Sequence, residues 1–164
     1  MPSISGSNQE ELTSYEIERN KPMPSLNHSA IQTNLATYLN YHFRKKYTIL
    51  SEISLVMPEK PDAIPDLAIY PKIKIDYFED QLAMEEMPLT AIEISSPSQS
   101  DSFIVKKINR YFKVGVKSCW FVMPSLQAIS VYSEKGKYQF FSADMTLVDP
   151  VTGVELPLSE VFAE

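Results

Sequence analysis

Three short apolar runs, each bounded by proline, constrain the fold of this chain more than any other feature. Leu67-Ala68-Ile69-Tyr70 lies between Pro65 and Pro71, residues 89–95 follow Pro88, and residues 118–123 stop at Pro124. Runs of this length and composition suit buried strands and are too short for independent helices. Two other segments carry a helical period instead. Ile31, Leu35, Leu39 and Phe43 recur at every fourth position behind Ser25 or Asn27 as N-cap, which predicts a helix over 27–46. Ser100 or Asp101 caps a second helix, closed by Gly115, with Ile104, Ile108, Tyr111 and Phe112 as its buried stripe. Residues 47–57 alternate apolar and polar side chains as a strand, while 118–123, 128–132 and 138–141 read as an antiparallel meander. This order predicts an α/β (α+β) domain: a central mixed β-sheet flanked by helices, with an antiparallel C-terminal meander. Residues 72–87 read as a partly helical surface excursion, and the tail from Asp149 as a turn and a closing segment. Residues 15–18 read as a short strand entering a turn, and 1–13 as a loose arm ahead of a single domain over 14–164.

Composition removes several classes of function. At 164 residues, 44% hydrophobic and 22% charged, the chain has the apolar surface one domain needs and is too short for two ordinary ones. Its apolar runs fall far below the roughly 20 residues of a bilayer span. Residues 1–8 lack the basic flank and apolar stretch of a signal peptide, so a cytoplasmic protein without a membrane helix is expected. The lone Cys119 excludes an intramolecular disulfide and a multi-cysteine zinc site, and beside Trp120 it reads as a small buried hydrophobe. Only 4 glycines leave no glycine-rich phosphate loop, and Ser95, Ser96 and Ser98 lack the glycine-flanked elbow of a serine hydrolase. With 15 Lys+Arg against 21 Asp+Glu the net charge is -6, so nucleic acid, if bound, must be held locally. The densest basic run, Arg44-Lys45-Lys46, reads as a solvated helix end.

Glu93 is out of place in a core strand, because an unpaired buried carboxylate costs several kcal/mol. It stands between Ile92 and Ile94, and Asp66 holds a comparable place at the start of the 67–70 run. Two acids on neighbouring strands can meet at one end of the sheet, where a divalent cation would relieve their repulsion. Mg²⁺ or Mn²⁺ suits so sparse an oxygen site, since magnesium takes one or two carboxylates and fills its shell with water and phosphate. On a helical wheel of about 100° per residue, Lys107 falls at the margin of the buried stripe and Lys106 on the far side. An inward Lys107 can stabilise developing negative charge or orient a water. A plainer reading stays open: Glu93 on a solvated strand face, Asp66 capping a turn, Lys107 snorkelling from the helix edge. His28 reads as capping or exposed before catalytic, and Glu16 and Glu52 as solvated strand residues before additional metal carboxylates.

Several blocks together resemble the Uma-type family of restriction-endonuclease-like proteins. They are Ile64-Pro65-Asp66-Leu67-Ala68-Ile69, then Ala91-Ile92-Glu93-Ile94-Ser95-Ser96-Pro97-Ser98, then Asp101 through Lys107 with Tyr111, and Gly115-Val116-Lys117-Ser118-Cys119-Trp120. Ser14-Tyr15-Glu16-Ile17, His28 and Gly153-Val154-Glu155-Leu156-Pro157-Leu158 also fit, so the resemblance covers nearly the whole chain. It implies the PD-(D/E)XK nuclease fold and metal-dependent hydrolysis of phosphodiester bonds, with Asp66 and Glu93 binding metal. The superfamily's usual lysine is replaced by Ser95, and in the Uma-type pattern its role moves to the following helix, at Lys107. The resulting expectation is a Mg²⁺- or Mn²⁺-dependent endonuclease acting on DNA, with Asp66, Glu93 and Lys107 catalytic. The alternative is a catalytically inactive nuclease-fold binding or assembly protein, for instance a homodimer through the strands of 118–141. A small-molecule phosphohydrolase using the same metal site is a third reading.

Overall fold

The computed structural model describes residues 23–164; the arm over 1–13, the strand over 15–18 and Glu16 lie outside the described residues. Helix α1 spans Leu26–Phe43, with the Ser25 hydroxyl accepting the His28 backbone N–H as its N-cap. It buries Ile31, Leu35 and Leu39, and Phe43 packs half-buried at the end of the same stripe. The helix stops before the expected residue 46 because Tyr47 is already paired with Pro71 in the sheet. Strand β1 is Tyr47–Ser51 and β2 is Ser54–Leu55, so the single strand expected over 47–57 is broken. The break is at Glu52, whose φ of 50° is left-handed and cannot continue a ladder.

Strand β3 (Leu67–Pro71), a short β4 (Ala83–Met84) and β5 (Thr90–Ile94) follow, then helix α2 (Asp101–Lys113) and β6 (Ser118–Met123). A 3₁₀ turn over Pro124–Leu126 leads to β7 (Ala128–Glu134) and β8 (Lys137–Ser142), and the chain ends with β9 (Thr146–Val148), β10 (Glu155–Pro157) and α3 (Leu158–Val161). Among the described residues six strands form one sheet in the order β1-β3-β5-β6-β7-β8. All neighbours are antiparallel except β5 and β6, which the α2 crossover makes parallel. The sheet is therefore mixed, with the C-terminal meander antiparallel as the pattern required. Among the described residues no helix is long and apolar enough to cross a membrane.

Helices cover both faces. Ile92 and Ile94 point with Trp120 and Val122 toward α1, while Ala91, Cys119 and Phe121 point toward Ile104, Ile108 and Tyr111 of α2. Strand side chains alternate between faces, so Glu93 shares the α2 side with Ala91. Residues 72–87 contain no helix, contrary to the partly helical expectation. The Asp76 carboxylate accepts the Phe78 N–H and the Asp80 carboxylate the Gln81 N–H. Such local bonds compete with helical ones, and Tyr77, Phe78 and Leu82 are exposed, so no packing compensates.

The tail does more than close the chain. Asp149 is fully buried at the Thr90 end of β5 and is held by donors alone. Its Oδ2 accepts Trp120 Nε1–H at 2.7 Å and the Ser118 hydroxyl at 2.8 Å; its Oδ1 accepts the backbone N–H groups of Val151 and Thr152. Asp149→Ala strands these donors, each worth about 1–3 kcal/mol when buried and unmatched. Urea unfolding should show a loss of about 3 kcal/mol or more; a loss below about 1 kcal/mol would contradict this role.

Candidate metal centre

The β3–β5 pairing of Leu67 with Ile92, continued by one residue, sets Asp66 opposite Glu93. Both are buried, at 1% and 2% exposure. The Asp66 carboxylate accepts the Ile94 backbone N–H through Oδ2 at 2.7 Å, which ties it to the strand that carries Glu93. Its Oδ1 lies 3.2 Å from His28 Nε2 in the first turn of α1. The Asp66 carbonyl accepts the Gln32 side-chain amide at 3.2 Å and the Glu52 backbone N–H at 3.1 Å. The left-handed Glu52, costing about 1 kcal/mol for a side chain with a Cβ, therefore turns the chain so that its N–H meets Asp66.

Glu93 is met from the other face. Tyr111 donates its hydroxyl to Oε1 at 2.6 Å, and Lys107 Nζ lies 3.7 Å from Oε2. Positions i and i+4 lie one above the other on a helix, so consecutive turns of α2 address the two oxygens of one carboxylate. Phe103, a further turn back, lies under the ammonium with its ring centre 5.4 Å from Nζ. Lys107 is 20% exposed, while Lys106 faces solvent, as the wheel required. The Tyr111 phenol is pushed well above its ordinary 10.0, by burial first and then by Glu93, with Asp66 contributing in the same direction. It therefore remains a hydrogen-bond donor.

The structure thus brings Asp66, Glu93, Lys107 and His28 to one place. The solvated-face reading of Glu93 is excluded by its burial, and the capping-or-exposed reading of His28 by its contact with Asp66. Cys119 is buried, and burial pushes its thiol up, so it is no nucleophile. Ser96 and Ser98 meet each other at 3.3 Å between their hydroxyl oxygens. The roles of Tyr111 and Gln32 were not legible beforehand, although Tyr111 follows Lys107 by four residues on the same buried stripe.

Among the described residues no cluster of three or more His, Cys, Asp or Glu forms a cage for a metal. Two buried carboxylates at one end of neighbouring strands nevertheless match what magnesium takes from a protein, with water and phosphate completing the shell. A zinc site would require more nitrogen or sulfur ligands.

The sequence matches the Uma2 family, described as "Putative restriction endonuclease", over residues 8–159. Among solved structures, "a putative nuclease belonging to DUF820 from Anabaena variabilis" superimposes with a TM-score of 0.75 at 24% identity, covering 87% of this chain and 84% of that one. That likeness shows the fold. A cryo-EM structure of a DrdV–DNA complex matches at 10% identity, over 69% of this chain and 9% of that one, with a TM-score of 0.43, which is too low to carry an argument. No curated protein matches.

The Tyr111 shift has a measurable consequence. Because the folded chain holds this proton more tightly than the unfolded one, the stabilisation is complete below the ordinary value of 10.0 and is lost as pH rises beyond it. Denaturant unfolding should weaken above pH 10, and Tyr111→Phe should make that decline shallower, with Tyr70, also raised by burial, supplying part of the remainder. An unchanged decline in the variant would contradict the assignment.

Proposed function

The chain belongs to the Uma2 family of restriction-endonuclease-like proteins, and from that membership we propose that it is a nuclease that hydrolyses DNA phosphodiester bonds with Mg²⁺ or Mn²⁺. The observation that carries this reading is the buried pair Asp66 and Glu93, brought to neighbouring strands and joined through the Ile94 N–H, with Lys107 beside Glu93. When bound there, the cation supplies Lewis-acid polarisation of a phosphate oxygen and activation of a water. Asp66 and Glu93 provide the two anionic oxygen ligands. Their rigid seats on adjacent strands fix ligand positions before substrate arrives, so little reorganisation is left for the reaction itself.

Lys107 approaches from α2 with its ammonium between Glu93 and solvent. From there it can meet a phosphate oxygen as negative charge develops, or hold the attacking water. Ser95 leaves the strand without the usual lysine, and the 3.7 Å approach of Lys107 to Glu93 supports the helix as its new place. Net charge of -6 then suits a local contact, in which metal and Lys107 neutralise the cleft while the remaining surface does not attract polyanions. The same proposal includes a cytoplasmic location and a homodimer through the strands of 118–141, where β8 has β7 as its partner among the described residues.

Plasmid nicking with Mn²⁺ or Mg²⁺ tests the reading. The wild type should nick DNA, while Glu93→Gln, which keeps an oxygen for the Tyr111 hydroxyl, and Lys107→Ala should each lose at least about 100-fold in rate without loss of the folded state. Equal activity in these variants would remove the proposed site. Metal-dependent hydrolysis of a phosphate monoester without nicking would favour a small-molecule phosphohydrolase, and no hydrolysis of either would favour the inactive binding protein.

A further inference from the structure

His28 lies outside the acid–acid–lysine set, yet its surroundings are specific. Its imidazole is buried, with Nε2 at 3.2 Å from Asp66 Oδ1. Nδ1 is also buried and, among the described residues, has no hydrogen-bond partner. With the hydrogen on Nε2, the ring donates to Asp66 and leaves only a lone pair at Nδ1. A hydrogen on Nδ1 would be a buried donor with nothing to accept it, which is the costlier arrangement.

We infer that His28 is a positioning residue for the metal site: it orients the Asp66 carboxylate so that a fixed lone pair faces the cation. The inference rests on the metal-site reading above. The backbone argues for it as well as the side chain. Ser25 caps α1 by accepting the His28 N–H, which sets the first turn, and one turn later Gln32 donates to the Asp66 carbonyl. One helix thus holds residue 66 at both its carboxylate and its backbone. The Ile94 N–H occupies Oδ2 and His28 occupies Oδ1, so rotation of the carboxylate would break two hydrogen bonds. Partners of this kind behind a metal ligand keep it in one orientation, and losing them costs about 10- to 100-fold in metal affinity.

The test is calorimetric titration of the whole chain with Mn²⁺ alone, without substrate. His28→Leu keeps buried volume and removes the donor; His28→Gln carries an amide nitrogen about as far as Nε2. His28→Leu should bind Mn²⁺ about 10- to 100-fold more weakly than wild type, and His28→Gln should recover most of the affinity. Simple packing would give neither the metal effect nor the Gln rescue. If His28→Leu does not fold, His28→Asn, whose amide is too short to reach, replaces it against His28→Gln with the same expectation. Wild-type binding that disappears in Asp66→Ala and is unaltered in the His28 variants would overturn the positioning role and leave the metal site standing. A wild type that binds no Mn²⁺ would overturn both.

Discussion

The hydrogen bond from the Ile94 backbone N–H to Asp66 joins the two halves of the site, and much of the surrounding structure serves to make it tolerable. It places one buried carboxylate beside the strand that carries another. Two like charges brought out of water repel each other and lose hydration, a cost of several kcal/mol per ion unless donors or cations compensate. Hydrogen bonds to charged groups return about 1.5–3 kcal/mol each. Here they come from three directions: the strand itself, the first turns of α1, and consecutive turns of α2. The mixed sheet follows from the same need, because a parallel β5–α2–β6 crossover lays α2 across the face that carries Glu93.

Asp149 is a buried carboxylate with a different set of partners. Its donors are the Trp120 indole, the Ser118 hydroxyl and nearby backbone N–H groups, with no lysine or histidine among them. It ties the closing turn to β5 and β6 at the end of β5 opposite Glu93. Asp66 and Glu93 differ in that groups able to serve chemistry approach them, and Lys107 keeps part of its side chain in solvent. Burial alone does not separate the three acids; their partners do.

How much of this was legible follows from the physics of each residue. Glu93 announced itself because an acid inside an apolar run has few structural explanations, and Lys107 was separable from Lys106 because helical geometry alone decides which one faces inward. The mixed sheet and the meander followed from run lengths and turns, whereas the order of strands in the sheet had no local signal. His28 was undervalued, since its partner Asp66 is 38 positions away and no local pattern reports a contact between the start of a helix and a later strand. Asp149 was hidden for a similar reason: Asp-Pro followed by Gly reads as an exposed turn, and only the packing of Trp120 against it shows otherwise. The helical reading of residues 72–87 failed because apolar spacing has no force where nothing covers the apolar face, and Asp76 and Asp80 bind the backbone locally instead.

The central claim is that Asp66 and Glu93 form one metal site on adjacent strands. It is tested most directly by crystallising the protein with Mn²⁺ and locating the ion by its anomalous scattering. The account predicts one strong peak in bonding contact with a carboxylate oxygen of Asp66 and one of Glu93. No peak there, with Mn²⁺ bound elsewhere or not at all, would contradict it.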